Sequence, residues 1–379
     1  MTLAILTLLE QNESLDAAAI DAFLAKNSSP IVEGPTITFL YRGRADDVRL
    51  RHFVYGLPSS QRFRHIEGTD LWYLSLEVPR GSRIEYKLEV AIGGVTRLIR
   101  DPLNDKTASD PYGANSVCHG TGYRTPDWTK HDPEAREGTI EETTLRSDAF
   151  GGDRTVKVYL PARLRLTRRY PLLVCFDGED YLRFASMKSV LDNLIHSYEI
   201  APLIVVCTQS PDRMTEYAAD QRTARFVAEE LVPHVESRYP AYGRPKDRGI
   251  MGASLGAVAA LHAAWKHPGF FGNLLLQSGS FAFTDIGRSQ KSPVLDGAVS
   301  FVNEFRAAPD DPVERIFVSC GTYESLIYEN RSLVPLLQST EMDVKYVEAK
   351  DGHNWENWRD RLREGLSWLF PGPITLVYE

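Results

Sequence analysis

The chain has 379 residues, of which 43% are hydrophobic and 25% charged, and this length exceeds what one hydrophobic core usually takes. A net charge of −8 argues against a dedicated nucleic-acid-binding protein, which would carry a basic stripe. The first apolar run, LAILTLL, lacks a basic flank and is followed by Glu10, and no later run is long enough to span a membrane. We therefore expect two domains, a cytoplasmic location, and neither a nucleic-acid nor a membrane partner.

The N-terminal third of the chain changes its pattern at Pro35. Residues 1–28 show helical spacing and predict one or two small helices. Six short runs with period-2 alternation follow, separated by Gly, Pro, Asp and Ser: TITFLYRG, VRLRHFVYG, FRHIEG, LWYLSLEVP, RIEYKLEVA and VTRLIRD. They predict a small Ig-like antiparallel β-sandwich. Residues 101–138 are polar, rich in Pro and Gly and without a clear pattern, which indicates an inter-domain connection partly packed by Tyr123 and Trp128.

The remainder of the chain, from residue 136 to 379, predicts a second domain, with residues 1–135 forming the first together with its linker. A hairpin, TIEETTLRS and RTVKVYLPA, opens it. Apolar strands then alternate with amphipathic helices: PLLVCFDG, APLIVVCTQS, NLLLQSGSF, RIFVSCGT and DVKYVEAK are the strands, and the last helix spans Trp355 to Leu369. This alternation is typical of a doubly wound, mainly parallel sheet, in which active residues lie at the carboxyl ends of strands. Together with the serine turn described next, the pattern predicts an α/β-hydrolase domain.

One stretch, DRGIMGASLGAVAALHAAWKHP, combines a short apolar strand, a tight turn and an Ala-rich helix. The turn fits G-x-S-x-G, with Ser254 between Gly252 and Gly256. A serine on a sharp strand-to-helix turn needs neighbours without bulk, and the helix that follows presents its N-terminal N–H groups. We predict that Ser254 is a nucleophile; the alternative is an ordinary strand-to-helix turn.

A serine nucleophile needs a base and an orienting acid, in the chain order Ser, acid, His. Only His353 follows the elbow on a loop after a strand; the alternative is an ordinary surface histidine. The acid is expected after the strand RIFVSC, where Glu324 lies nearest the strand end. Glu329 and Asp351 remain possible replacements, and Glu324 could be a surface residue.

An oxyanion hole requires two backbone donors. Leu255 N–H, directly after the serine, is one by the geometry of such elbows. Glu179 N–H, after the turn at Gly178, is our choice for the second. Arg213 and Glu216 follow the strand LIVVC and either anchor the substrate or pair with each other; we favour the structural role.

The four cysteines stand at positions 118, 175, 207 and 320. Three of them end or interrupt apolar strand-like runs, which indicates buried free thiols suited to a reducing compartment. Their spacing fits no zinc pattern. We therefore expect no metal and no other cofactor.

Three phrases resemble the esterase D-like superfamily: GASLGAVAALHAAWKHPGFFGNLLLQSGSF, PDRMTEY with ELVPHVESRY, and DGHNWENWRDRLREGLSWL. GTDLWYLSLEVPRGSRIEYKLEV followed by RDPLN resembles the N-terminal module of enterochelin (ferric enterobactin) esterases. The resemblance, over about residues 35 to 370, places the family's serine, histidine and acid on Ser254, His353 and Glu324, and Trp358 matches the tryptophan that follows the family's histidine.

The resemblance implies hydrolysis of the trilactone ester bonds of a ferric catecholate siderophore, releasing iron inside the cell. The partner is then a small-molecule ester, with Arg183, Arg213 and Trp358 as expected substrate-binding residues, and the protein a monomer or homodimer. Two alternatives remain: an acyl-carbohydrate (feruloyl or acetyl) esterase with a glycan-binding N-terminal module, and a catalytically inactive binding protein.

We also expect the N-terminal domain to form part of the substrate site. Its candidate residues are Trp72, Tyr73, Arg62 and Arg64, whose rings and cations suit aromatic, anionic groups. The alternative is that Trp72 and Tyr73 alternate between the sandwich core and the surface, and for Trp72 we favour the core.

Overall fold

The structure is a computed structural model that describes residues 3–11, 15–283 and 295–373. It divides into two compact units. The first unit comprises Met1–Thr125 together with two short segments from far along the chain, Thr322–Glu324 and Lys350–Asn354. The second comprises Pro126–Gly321, Ser325–Ala349 and Trp355–Glu379. None of the helices in the described ranges is long and apolar enough to cross a membrane.

Two short helices open the first unit, as the helical spacing predicts: α1 (Ala4–Gln11) and α2 (Ala17–Lys26). The Asp16 side chain caps α2 by accepting a hydrogen bond from Ala19 N–H at 2.8 Å, which satisfies a donor that the helix itself cannot pair. The apolar faces of both helices join a small core cluster with strand residues of the same unit, including Leu40.

Two antiparallel sheets form the rest of the first unit. Their strands are β1 (Ile31–Glu33), β2 (Thr36–Arg42), β3 (Asp47–His52), β4 (Ser60–Arg62), β5 (Arg64–His65), β6 (Leu71–Glu77), β7 (Arg83–Ile92), β8 (Val95–Ile99), β9 (Thr107–Asp110) and β10 (Gly113–His119). One sheet has the order β1-β2-β6-β5, and the other β4-β3-β7-β10-β9 with β8 paired to β7. The sheets share one core, in which Phe39 and Tyr86 meet edge to face with ring centroids 4.9 Å apart. The Ig-like topology stays a prediction.

The interpretation of residues 101–138 as an unpatterned connection is wrong for its first half. Strands β9 and β10 lie inside it and pair through the register Gly113↔Asp110. The period-2 signal is weak there because β10 buries polar side chains that are satisfied by hydrogen bonds. Ser116 Oγ, for example, accepts from Asp101 N–H at 2.8 Å. The Pro and Gly in this stretch therefore mark a hairpin turn within a sheet.

The second unit has an eight-stranded sheet in the order β11-β12-β14-β13-β15-β16-β17-β18. Its strands are β11 (Thr139–Ser147), β12 (Gly152–Leu160), β13 (Leu172–Phe176), β14 (Ile204–Thr208), β15 (Arg248–Ala253), β16 (Asn273–Gln277), β17 (Arg315–Gly321) and β18 (Asp343–Ala349). The β11–β12 hairpin is antiparallel and joins β14 antiparallel; the pairs from β14 onward are all parallel. Strands β13 to β17 are buried along their apolar runs, as expected for a sheet covered on both faces, whereas the edge strand β18 is mostly half-exposed.

The described helices of the second unit are α3 (Gly178–Phe184), α4 (Met187–His196), α5 (Arg213–Glu216), α6 (Gln221–Arg225), α7 (Val232–Arg238), α8 (Leu255–Lys266), α9 (Asp296–Ala307), α10 (Ile327–Gln338) and α11 (Trp355–Leu369). A π-helical turn, Phe226–Leu231, joins α6 to α7. Helix α11 has the predicted bounds. The sequence analysis does not predict α9. The alternation of strands and helices predicts one helix between β13 and β14, where the structure has two, α3 and α4, separated at Ser186 by a left-handed φ of 48°.

Candidate active site

Ser254 stands at the turn between β15 and α8, with a φ of 58° and a ψ of −121°. This backbone conformation is costly for any residue with a side chain, and it persists only where the surroundings impose it. Gly252 makes the turn possible, because a Cβ at that position would lie 2.3 Å from the backbone carbonyl of Gly256. Ser254 N–H donates to the Gln277 carbonyl at 2.9 Å. The turn has the predicted elbow geometry.

Two further predicted residues lie at helix N-termini of this unit. Leu255 is the first residue of α8 and Glu179 the second residue of α3. The first N–H groups of a helix have no intrahelical acceptor and carry a partial positive charge. Gly178 cannot be replaced without a shift of the backbone, since a Cβ there would lie 2.4 Å from Cys207 Cα. The local structure at both residues is thus compatible with oxyanion donors.

An ion pair between the buried Asp177 and the half-buried Arg213 connects the turn at Asp177 to the elbow. Arg213 Nε donates to both Asp177 carboxylate oxygens at 2.9 Å, and its Nη2 donates to the carbonyl of Ala253, next to the nucleophile, at 3.3 Å. Burial raises the pKa of Asp177 to about 6, against the opposing effect of the Arg213 charge. The expected pairing of Arg213 with Glu216 is wrong: the Glu216 carboxylate accepts from Arg154 at 2.6 Å. Arg213 and Glu216 lie in the same loop, but Arg213 pairs with Asp177. The Asp177 carboxylate is the more buried of the two, so an unpaired charge there would cost more free energy.

Replacing Arg213 with leucine is expected to destabilise the protein more at pH 8 than at pH 5. The substitution leaves Asp177 buried without its cation, so the pKa of this carboxyl rises further above its unfolded value of about 4. A raised carboxyl pKa weakens folding as pH increases from the unfolded to the folded pKa, and the full penalty applies above both. Chemical unfolding at the two pH values measures the difference, expected to be up to about 3 kcal/mol.

The double variant Arg213→Leu/Asp177→Asn is the control, because it removes the carboxylate together with its partner. We expect the double variant to lack the additional stability loss at pH 8 that the single variant shows, since no carboxylate remains to ionise. An equal loss at pH 5 and pH 8 for the single variant would contradict the assignment of this pair.

Behind the elbow, a buried polar side chain connects three elements of the second unit. Gln277 accepts from Tyr181 OH at 2.7 Å and donates to the Trp358 carbonyl at 2.9 Å. Trp358 Nε1 donates in turn to Ser278 Oγ at 2.9 Å. Trp358 is 5% exposed. Its predicted role in substrate binding does not fit this burial; the indole ring instead packs in the core and fixes α11 to the end of β16.

The first unit contains the predicted base and the predicted acid, and their side chains are hydrogen-bonded to each other. His353 Nδ1 and Glu324 Oε2 are 2.6 Å apart, and the Glu324 side chain is nearly inaccessible, whereas the His353 side chain is 36% exposed. A proton on Nδ1 donated to the carboxylate leaves Nε2 as the acceptor, as a general base requires. Of the three candidate carboxylates, Glu324 makes this contact; Asp351 accepts from Arg83, and Glu329 lies in the first turn of α10.

Two other residues named in the sequence analysis, Arg183 and Trp72, have defined contacts in the structure. Arg183 is exposed and lies over the Phe184 ring, 4.9 Å from its centroid. Trp72 is a core residue of the first unit, with Nε1 donating to the Gly43 carbonyl. The sequence interpretation missed Asp177 and Ser280, whose Oγ lies 3.2 Å from Ser254 Oγ. The buried DG turn was a usable signal for Asp177, whereas nothing in the local pattern singles out Ser280.

A second unit with this parallel sheet and this elbow is an α/β-hydrolase-type fold, and comparison with known proteins agrees. Residues 147–369 match the family model described as "Putative esterase", which covers more than half of the chain; the chain belongs to this esterase family. The Iron(III) enterobactin esterase of Escherichia coli (strain K12) is 25% identical over 336 residues, which is 81% of each protein.

Solved structures show the same fold. The enterobactin esterase from Shigella flexneri, crystallised in the presence of enterobactin, has a TM-score of 0.71 at 22% identity, covering 88% of this chain and 92% of that one. A feruloyl esterase module from Clostridium thermocellum has a TM-score of 0.51 at 16% identity, covering 68% and 96%. Membership of this family supports an ester hydrolase.

Proposed function

We propose that the protein is a serine carboxylic ester hydrolase with Ser254 as nucleophile, His353 as base and Glu324 as acid. The observation that carries the proposal is the backbone of Ser254, held at a φ of 58° between β15 and α8. A strained serine at this point in a parallel sheet is the arrangement that esterase nucleophiles use. The bond from His353 to Glu324 supports the assignment of the other two roles.

The strand order of the eight-stranded sheet also supports the grouping of Ser254, Glu324 and His353. Strands β15, β17 and β18 are parallel members of one sheet, so their carboxyl ends lie at one edge. Ser254 follows β15 directly, Glu324 follows the end of β17 by three residues and His353 follows the end of β18 by four. The chain order Ser, acid, His is that of α/β-hydrolases.

The proposed reaction has two halves. His353 Nε2 takes the Ser254 proton as Oγ attacks the ester carbonyl, and Leu255 N–H and Glu179 N–H stabilise the oxyanion that forms. The C–O bond to the alcohol breaks, and the imidazolium gives its proton to the leaving alkoxide. Water, deprotonated by His353, then attacks the acyl-serine, which releases the acid and returns the proton to Ser254.

For the substrate we propose the trilactone ester bonds of a ferric catecholate siderophore. The sequence and fold similarity to enterobactin esterases over both halves of the chain supports this choice. We assign residues 136–379 to the esterase domain and residues 1–135 to an N-terminal domain that takes part in substrate binding. The feruloyl esterase module, in comparison, corresponds to only 68% of the chain.

A second candidate, an acyl-carbohydrate esterase, is favoured by the charges near the oxyanion turn. Glu179 and Asp180 follow Gly178, and acidic side chains repel an anionic ferric complex. Arg213 is already bound by Asp177, and Lys188 by Glu137 and Asp192 at 2.8 Å. The positive charge available to balance a siderophore is therefore smaller than the number of basic residues indicates.

Hydrolysis rates on the two substrate classes distinguish these candidates. We expect kcat/KM for ferric enterobactin to exceed that for feruloylated or acetylated sugars by at least about tenfold, a difference of about 1.4 kcal/mol in transition-state binding. A small activated ester serves as the control for a working nucleophile. The opposite ranking would replace the siderophore with an acyl-sugar, and no turnover of any ester would favour the inactive binding protein.

A further inference from the structure

The segment that carries His353 is held by the first residue of strand β7. Arg83 N–H donates to the Lys350 carbonyl at 3.0 Å. The Arg83 side chain is fully buried, and its Nη1 donates to the Asp351 carboxylate at 3.2 and 3.3 Å and to Asn354 Oδ1 at 3.0 Å. Arg83 therefore contacts both neighbours of the sequence Gly352–His353.

Asp351 also forms hydrogen bonds within the segment that carries His353. Its Oδ1 accepts from Gly352 N–H at 2.7 Å and from Asn354 Nδ2 at 2.8 Å. Asp351 is 4% exposed, so its contact with the Arg83 guanidinium is shielded from water and from salt. The Arg83 guanidinium and the Asp351 carboxylate together hold the residues on both sides of His353 by hydrogen bonds.

The segment that carries Glu324 is held by the same unit. Tyr323 N–H donates to the Asp351 carbonyl at 3.0 Å, and the Tyr323 carbonyl accepts from Tyr55 N–H at 2.8 Å. The Tyr323 hydroxyl is hydrogen-bonded to Ser82 Oγ, next to Arg83. The acid and the base are consequently tied to each other through Asp351 as well as through their own hydrogen bond.

We propose that Arg83 is a positioning residue for His353, so that the N-terminal half of the chain sets the geometry of the base. This inference rests on the proposed function. Arg83 does not touch the reacting atoms; it fixes the backbone from which the imidazole extends. A shift of about 1 Å in a catalytic group can lower the rate about 100-fold, and the loss of one buried partner leaves the other charge unpaired.

The test compares Arg83→Met with Arg83→Lys in the full chain, on a small activated ester. We expect Arg83→Met to lower kcat by roughly 10- to 100-fold per active site with KM nearly unchanged. Arg83→Lys keeps the charge but lacks the planar fork, so an intermediate kcat is expected. Active sites are counted after complete labelling with a fluorophosphonate, which removes unfolded protein from the comparison.

Arg248→Met is the matched control. Arg248 also forms an ion pair with little exposure, to Glu236 at 2.7 and 2.8 Å, but it begins β15 at the end away from Ser254. We expect this variant to lose stability without a change in kcat per labelled site. If Arg83→Met does not fold, Arg83→Lys and Asp351→Asn replace it in the same assay.

A kcat per site that is unchanged in the Arg83 variants, with wild-type protein active, overturns this inference alone. So does an equal fall in the Arg248 control, since the effect would then be general destabilisation. Wild-type protein that cleaves no ester and does not label at Ser254 overturns the proposed function and this inference together.

Discussion

Replacing Ser254 with alanine is expected to lower kcat on the best ester by about 10³-fold or more, with little change in folding. The loss is large because nucleophile and base act as a unit, so the removal of one makes the other useless. Ser254 is only partly buried, and the elbow is fixed by Gly252 and by the hydrogen bond from Ser254 N–H to Gln277, which alanine retains. Steady-state kinetics on purified variants measure the effect.

Ser280→Ala is the comparison for Ser254→Ala, because it removes the neighbouring hydroxyl and keeps the nucleophile. We expect its effect on kcat to be far smaller. A Ser254→Ala variant that retains more than about a tenth of the wild-type turnover would rule out the triad.

Glu324→Gln is expected to lower kcat on the order of 10²- to 10³-fold, less than Ser254→Ala. The nucleophile and base remain, but the amide removes the charge that stabilises the imidazolium and can present an N–H to Nδ1, which favours the wrong tautomer. His353 Nδ1 and Glu324 Oε2 are 2.6 Å apart, so both the loss of the charge and the new amide N–H act directly on the imidazole. Measurements of kcat for both variants on one ester give the ranking.

Glu329→Gln is the matched control, an equal change on a half-exposed carboxylate of the first turn of α10. Its kcat is expected to stay close to wild type. If Glu329→Gln or Asp351→Asn lowers kcat more than Glu324→Gln does, the acid has been assigned to the wrong carboxylate.

The parts that the sequence predicted well are those with local physical causes. The elbow depends on Gly252, because a Cβ there would lie 2.3 Å from the backbone of Gly256, where β15 and α8 approach each other. The bounds of α11 follow from a strong 3.6-residue pattern, and the buried strands from continuous apolar runs. Each of these features is decided by residues within one element or one turn.

The parts that the sequence did not predict depend on contacts between distant residues. Strands β9 and β10 are stabilised by buried polar side chains, whose partners no local pattern reveals. The partner of Arg213 is 36 residues away, in Asp177, and not in its own loop. Burial of Trp358 likewise depends on where α11 packs. The pairing of Arg83 with Asp351 has no local signal at all.

The separation of Arg83 from Asp351, 268 residues, also bears on the order in which the chain is completed during synthesis. At a translation rate of roughly 5–20 residues per second, the ribosome needs about 13 to 54 s to make the intervening residues. Throughout that interval Arg83 lacks Asp351, and Glu85, whose Oε1 lies 2.9 Å from Arg83 Nη2, is its nearby anionic partner. The unit whose residues leave the ribosome first therefore acquires its final packing only after residues 350–354 have been made.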